Sequence, residues 1–151
     1  MEGDVLPFIK SLMREKGLAR LGDSFVNLVF SAAKTQAYGR AAGEKVPDKV
    51  LSESLRMASI KVPPRLSHGE RGDIAEAILA DAWTRKVISL DESIELLRGA
   101  LSRREVETVA AERDLAARGF SSLILIALKR GGESGAYGAG EREEGAKDRL
   151  S

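Results

Sequence analysis

The chain has 151 residues, which is the size of one domain. Because its net charge is only +1, it needs a local basic patch if it is to bind nucleic acid. Its 43% hydrophobic and 31% charged residues are typical of a globular protein, and the absence of cysteine excludes disulfides and thiolate metal sites. No apolar run reaches the roughly 20 residues of a membrane span, and the N-terminal residues lack a secretory pattern. We therefore expect a cytoplasmic protein that does not associate with membranes.

Apolar residues recur at helical spacing along most of the chain. Gly39 and Gly43 interrupt this pattern, Pro47 suits the first turn of a helix, and Val62-Pro63-Pro64 forces an extended link. Ser89-x-x-Glu92 and Ser102-x-x-Glu105 are patterns typical of helix starts. The predicted helices cover, in chain order, residues 5–14, 21–38, a segment from 47, 72–86, a segment from 89, and a segment from 102 through the apolar run 123–128.

No alternating strand pattern accompanies these helices, so the sequence predicts an all-α fold. The composition changes after Arg130, where Gly, Glu, Lys and Arg dominate. Such a segment cannot bury enough apolar area to offset its ordering entropy. We expect one helical domain over residues 1–130 and a flexible tail over residues 131–151.

An acidic residue follows glycine near the predicted start of the second helix. Asp23 is succeeded by Asn27, Ser31 and Lys34 at spacings of four, four and three, which places them on one face opposite the apolar stripe. This polar row is either a solvated face or the lining of a site. Asp23 alone would also suit the capping of free backbone N–H groups.

A second acidic pair lies in the predicted fourth helix. Asp73 and Glu76 are three residues apart and project together from what we predict to be its first turn. The pair could serve as a helix cap, or it could bind a hard cation, since magnesium takes oxygen ligands. The single histidine, His68, cannot build a histidine-rich zinc site.

These two segments resemble the motifs of a known family. Leu21-Gly22-Asp23-Ser24-Phe25-Val26 is similar to the Leu-Gly-Asp signature of ribonuclease III endonuclease domains, and Asp73-Ile74-Ala75-Glu76-Ala77-Ile78 is similar to their second motif. The resemblance covers about residues 17–86. A short chain without an appended RNA-binding domain looks closest to the archaeal ribonuclease III-like group, and Gly17-Leu18-Ala19 also resembles Mini-ribonuclease III.

The resemblance implies a ribonuclease III-like helical bundle that hydrolyses double-stranded or structured RNA as a homodimer. By motif position, Asp23, Asp73 and Glu76 would be the catalytic residues and the ligands of Mg²⁺, with Mn²⁺ as a substitute. Glu44 would be a further acid, and Asn27 would line the site. Typical members carry two glutamates upstream of the first motif, where this chain has Lys16 and Ala19.

Basic residues near the acids would contact RNA phosphates. The candidates are Lys34, Lys45, Lys49 and Arg71. Trp83 lies in the apolar sector of its helix, which predicts a core position rather than a base-stacking surface. The apolar runs 25–30 and 123–128 have hydrophobic residues on more sides than one monomer needs to cover, as a twofold interface would require.

Two other functions are compatible with the sequence. One is a catalytically inactive protein of the same fold that binds structured or ribosomal RNA, since a fold does not guarantee activity. The other is a helical protein-interaction module whose acids only cap helices. The module requires Asp23 to lie far from Asp73 and Glu76, whereas the nuclease requires the three carboxylates around one ion.

Overall fold

The computed structural model of the chain describes residues 4–102 and 108–133. These residues form six α-helices and no strand, which confirms the predicted all-α class. The helices are α1 Leu6–Met13, α2 Lys16–Tyr38, α3 Asp48–Met57, α4 His68–Thr84, α5 Leu90–Leu101 and α6 Val109–Glu133.

Helix α4 lies at the centre of the bundle. It contacts α1, α2, α3 and α6, and α5 packs between α2 and α6. Every residue from Ile74 to Ala82 is buried, and four of these are alanines, which allow neighbouring helices to approach closely. A helix enclosed on all sides in this way holds its polar side chains in low-dielectric surroundings.

Helices α2 and α4 both begin earlier than the sequence predicted. Helix α2 starts at Lys16 rather than Leu21, and α4 starts at His68 rather than Gly72. The Ser67 hydroxyl accepts the Glu70 N–H at 3.1 Å, and the Glu70 carboxylate accepts the Ser67 N–H at 3.1 Å, which forms a capping box. Asp23 and Asp73 therefore lie inside their helices and do not cap them.

The predicted cap at Ser89 and Glu92 is present, since each residue's side chain accepts a backbone N–H of the other. The helix cap predicted at Ser102 is absent. Ser102 follows the end of α5, and its hydroxyl donates to the Arg98 carbonyl. Glu105 lies outside the described residues. Helix α6 begins at Val109, where the Thr108 hydroxyl accepts the Ala111 N–H at 3.0 Å.

Helix α6 continues beyond Arg130 through two glycines to Glu133. The Arg130 guanidinium donates to the Val87 carbonyl at 3.0 Å and to the Glu92 carboxylate at 2.7 Å, which joins the end of α6 to the start of α5. Residues 134–151 of the predicted tail lie outside the described residues. In the described part of the chain, no helix has the length and apolarity needed to cross a membrane.

The prediction of a core position for Trp83 is wrong. Its side chain is 40% exposed near the end of α4, and its ring lies at a tilt of 39° to Phe25, with ring centroids 6.0 Å apart. Trp83 therefore packs near Phe25 while part of its surface stays exposed to solvent.

Candidate active site

Gly22 sets the distance between α2 and α4. A Cβ atom at this position would lie 2.1 Å from the Glu76 carbonyl oxygen and 2.7 Å from the Glu76 Cβ. Only a residue without a side chain allows the two backbones to meet here. Because Asp23 follows Gly22 directly, the close approach brings the Asp23 carboxyl beside that of Glu76.

Carboxylates from three helices surround one cleft of about 710 Å³. We call this group the acid cluster; its members are Asp23, Asp48, Glu70, Asp73 and Glu76. A sixth acid that lines the cleft, Glu15, directly precedes α2. Asp48 comes from the start of α3, where its carboxylate lies close to Gly69 and Gly72. The cleft therefore forms where α2, α3 and α4 converge.

Basic residues line the cleft beside these acids. Lys16 and Arg20 belong to the first two turns of α2, with Ala19 between them, and Lys45 lies in the link before α3. The Lys45 ammonium is 3.5 Å from Oδ1 of Asp23. A cleft that combines acidic and basic groups can hold a cation together with an anion such as a phosphate.

Glu76 is the most deeply buried member of the acid cluster, with 4% of the residue exposed. Burial raises the pKa of Glu76 from 4.5 to about 8, helped by a hydrogen bond with Asp23 and by the charges of Asp23, Asp73 and Asp48. Burial also raises the pKa of Asp73, as do the charges of Asp48, Glu70 and Asp23. The fold thus holds like charges together at a free-energy cost that a bound cation would relieve.

The structure brings the three predicted acids, Asp23, Asp73 and Glu76, to one cleft. The protein-interaction alternative required them to lie apart, and that requirement is not met. Within residues 4–102 and 108–133, however, no three His, Cys, Asp or Glu side chains are already arranged to ligate one ion. The donor set still fits magnesium, since it consists of carboxylate oxygens, and Mg²⁺ keeps several waters while contacting only one or two carboxylates.

Glu44 does not join the acid cluster. Its carboxylate lies 2.6 Å from the Lys34 ammonium. Asp48, and not Glu44, lines the cleft. The sequence signal for Asp48 is its position directly after Pro47 at a helix start, but that signal does not show which helix start faces the cleft.

Lys34 is not a surface residue, contrary to its predicted contact with RNA. It is 6% exposed, and its ammonium bonds Glu112 at 2.9 Å in addition to Glu44. Burial alone would lower the pKa of Lys34, but the two carboxylates raise it. Lys34 thus ties α2 to the link and to α6.

Of the other predicted RNA contacts, Lys45 lines the cleft, whereas Lys49 and Arg71 are not among its lining residues. Sequence reasoning missed Arg20 and treated Lys16 only as a replacement for a glutamate. Their positions one helical turn apart, just before the Leu-Gly-Asp motif, are the signal that could have identified them.

Residues 16–132 match the family model described as Ribonuclease III. The chain belongs to the ribonuclease III family. The match extends well beyond the two motifs and runs from the first residue of α2 almost to the end of α6. No significant match is found among the curated proteins. Placement in the archaeal ribonuclease III-like group or beside Mini-ribonuclease III stays a prediction.

Membership of the ribonuclease III family assigns this all-α domain a ribonuclease role and implies RNA binding. Family members generally use a divalent metal. Among the described residues, the acid cluster offers the carboxylate oxygens that such an ion takes as ligands.

Proposed function

We propose that this protein is a metal-dependent endoribonuclease that hydrolyses double-stranded or structured RNA as a homodimer. The observation that carries the proposal is the convergence of Asp23, Asp73 and Glu76 on one cleft, with Glu76 buried among like charges. A helix-capping role does not explain this cost, because Asp23, Asp73 and Glu76 lie inside their helices and Ser67 caps α4. A site that binds a cation does explain it.

Asp23, Asp48, Asp73 and Glu76 would hold Mg²⁺ or Mn²⁺. When bound, the ion supplies a more acidic water and stabilises the charge that develops on the phosphate. Hydrolysis adds water across one phosphodiester bond: the water oxygen joins phosphorus, the bond from phosphorus to the 3′-oxygen breaks, and that oxygen takes up a proton. The products carry 5′-phosphate and 3′-hydroxyl ends.

Lys16, Arg20 and Lys45 would bind the RNA backbone. All three are exposed and line the same cleft as the acids. Their charges offset the repulsion between the acid cluster and the phosphates of the substrate. RNA binding would then depend on these three basic residues and not on the net charge of +1 of the whole chain.

The homodimer would cover apolar side chains that the monomer leaves in solvent. Most of the two apolar runs is buried within one subunit, but Leu28 and Leu125 stay exposed. Leu21 is also exposed and lies two helical turns from Leu28 on the same face of α2. Pairing of two subunits through such a face would place two acid clusters on one RNA duplex.

The test is cleavage of duplex, structured and single-stranded RNA by the purified chain with Mg²⁺, with Mn²⁺ and with chelator. We expect duplex cleavage only with metal, and its loss in Asp73→Ala with the helical circular dichroism unchanged. Glu95→Gln is the matched control, since Glu95 is an exposed acid in α5 whose partner is Arg98. Cleavage by Asp73→Ala would reject the site.

A second candidate is an inactive member of the family that binds structured or ribosomal RNA. It is favoured by one observation: Lys16 and Ala19, which stand where typical members carry glutamates, line the cleft. This alternative predicts RNA binding that chelator does not change, and no cleavage with either metal.

A further inference from the structure

Asn27 lies one helical turn after Asp23 on α2 and makes two hydrogen bonds. Its Nδ2 donates to Oδ1 of Asp23 at 3.3 Å, and its Oδ1 accepts the backbone N–H of Val46 at 2.7 Å. The Val46 N–H can only donate, so the amide oxygen must face it and the NH₂ group must face Asp23. One amide thus joins a member of the acid cluster to the link before α3.

A positive charge from that link lies beside the same carboxylate oxygen. Lys45 precedes Val46 in the chain, and its ammonium lies 3.5 Å from Oδ1 of Asp23. Asn27 and Lys45 therefore both lie next to a single oxygen of Asp23. Donors that meet on one oxygen fix the rotation of a carboxylate and turn its other oxygen away from them.

Asn27 belongs to a row of three α2 residues that hold this link, and it differs from the other two. The Ser31 hydroxyl accepts the Glu44 N–H at 2.9 Å and donates to the Glu44 carbonyl at 3.1 Å. The Thr35 hydroxyl accepts the Ala42 N–H at 3.0 Å. Ser31 and Thr35 fix only the link, whereas Asn27 fixes the link and contacts Asp23.

We propose that Asn27 is a positioning residue, which orients the Asp23 carboxylate towards the metal and fixes Lys45 beside it for the RNA phosphate. This inference rests on the proposed metal-dependent function and assigns a task that neither the family match nor the acid cluster supplies. Through Asn27, the orientation of a metal ligand and the position of a phosphate contact depend on each other.

The test is Mn²⁺ binding, measured by isothermal titration calorimetry without RNA, for the wild-type chain, Asn27→Ala and Ser31→Ala. Loss of a residue that orients a ligand weakens metal binding by about 10- to 100-fold. We expect that loss in Asn27→Ala and wild-type affinity in Ser31→Ala, which removes contacts with the same link but none with Asp23. Asn27→Ser, which keeps a polar side chain on this half-buried face, replaces Asn27→Ala if the alanine variant does not fold.

Two results would overturn the inference: wild-type Mn²⁺ affinity in the Asn27 variant, or equal weakening in the Asn27 and Ser31 variants. Equal weakening of Mn²⁺ binding would mean that the affinity depends on a fixed link before α3 and not on the orientation of Asp23. Failure of the proposed function gives a different result, because the wild-type chain would then bind no Mn²⁺ and cleave no RNA.

Discussion

At the scale of single residues, Glu76 is the clearest case of a side chain whose position lowers the stability of the fold. A carboxyl group at this depth is held beside Asp23 and Asp73, and its pKa rises to about 8. Each unit by which a pKa is shifted corresponds to about 1.4 kcal/mol of difference between the two protonation states. A buried acid with this cost is a common feature of functional sites.

The raised pKa of Glu76 predicts that the metal-free protein loses stability as pH rises. The native state keeps a proton between 4.5 and about 8 that the unfolded state releases. The stabilising contribution of protonated Glu76 is therefore complete below pH 4.5 and lost above about pH 8. Between these values the free energy of unfolding falls by at most about 1.4 kcal/mol per pH unit. Urea unfolding with chelator between about pH 5 and pH 8 measures it.

Two variants and the addition of Mg²⁺ test whether Glu76 causes this loss of stability with rising pH. Glu76→Gln should remove most of it, while Glu95→Gln, at an exposed acid, should leave it unchanged. Mg²⁺ should raise the free energy of unfolding most at high pH, where the acids are ionised, because it binds the native state. A wild-type slope in Glu76→Gln would show that Glu76 does not carry the shift.

The sequence predicted three members of the acid cluster and missed the others. Asp23, Asp73 and Glu76 stand in two recognisable motifs, so their chemistry could be read from neighbouring residues. Asp48 could not, because its place in the cleft depends on how α3 packs against Gly72. The resemblance predicted Glu44 as a further acid, but Glu44 pairs with Lys34 instead.

At the scale of helices, the contact between α2 and α4 depends on Gly22. Hydrophobic spacing predicted that both helices exist, but not that their backbones touch at Glu76. The helix starts were placed too late, because the residues before Leu21 and Gly72 carry few apolar groups. Polar residues that begin a helix outside the core give no periodic signal.

Gly22→Ala should destabilise the protein, because the new Cβ would overlap the backbone of Glu76. Overpacking of this kind costs about 1–3 kcal/mol, and more where backbone must move. Denaturant unfolding measures the loss. Moving α2 away would also part Asp23 from Glu76, so metal binding should weaken in any molecules that fold.

The matched control is Gly99→Ala, since a Cβ at Gly99 meets nothing within 4 Å in α5. It should be neutral or raise the free energy of unfolding by up to about 1 kcal/mol, because alanine favours a helix. Equal stability of the two alanine variants would contradict the close contact at Gly22.

At the scale of the whole molecule, the proposed dimer would explain why α2 is apolar on two sides. One side, with Phe25, Val26 and Val29, is buried in the bundle. Leu28 lies between these residues in sequence but on the outer side, where it is 52% exposed. The sequence could suggest an excess of apolar groups, yet only the packing shows which ones the monomer leaves uncovered.

Leu28→Asp should convert a dimer into a monomer, because burying a charge without a partner in an apolar interface is unfavourable. Light scattering after size-exclusion chromatography measures the mass, and circular dichroism checks the helices. Val109→Asp is the control, because Val109 is 66% exposed and belongs to α6, not to the α2 face that carries Leu21 and Leu28. A monomeric wild-type chain, or a dimer that survives Leu28→Asp, would exclude this face. Since each subunit carries one acid cluster, the monomer should nick one strand of duplex RNA where the dimer cuts both.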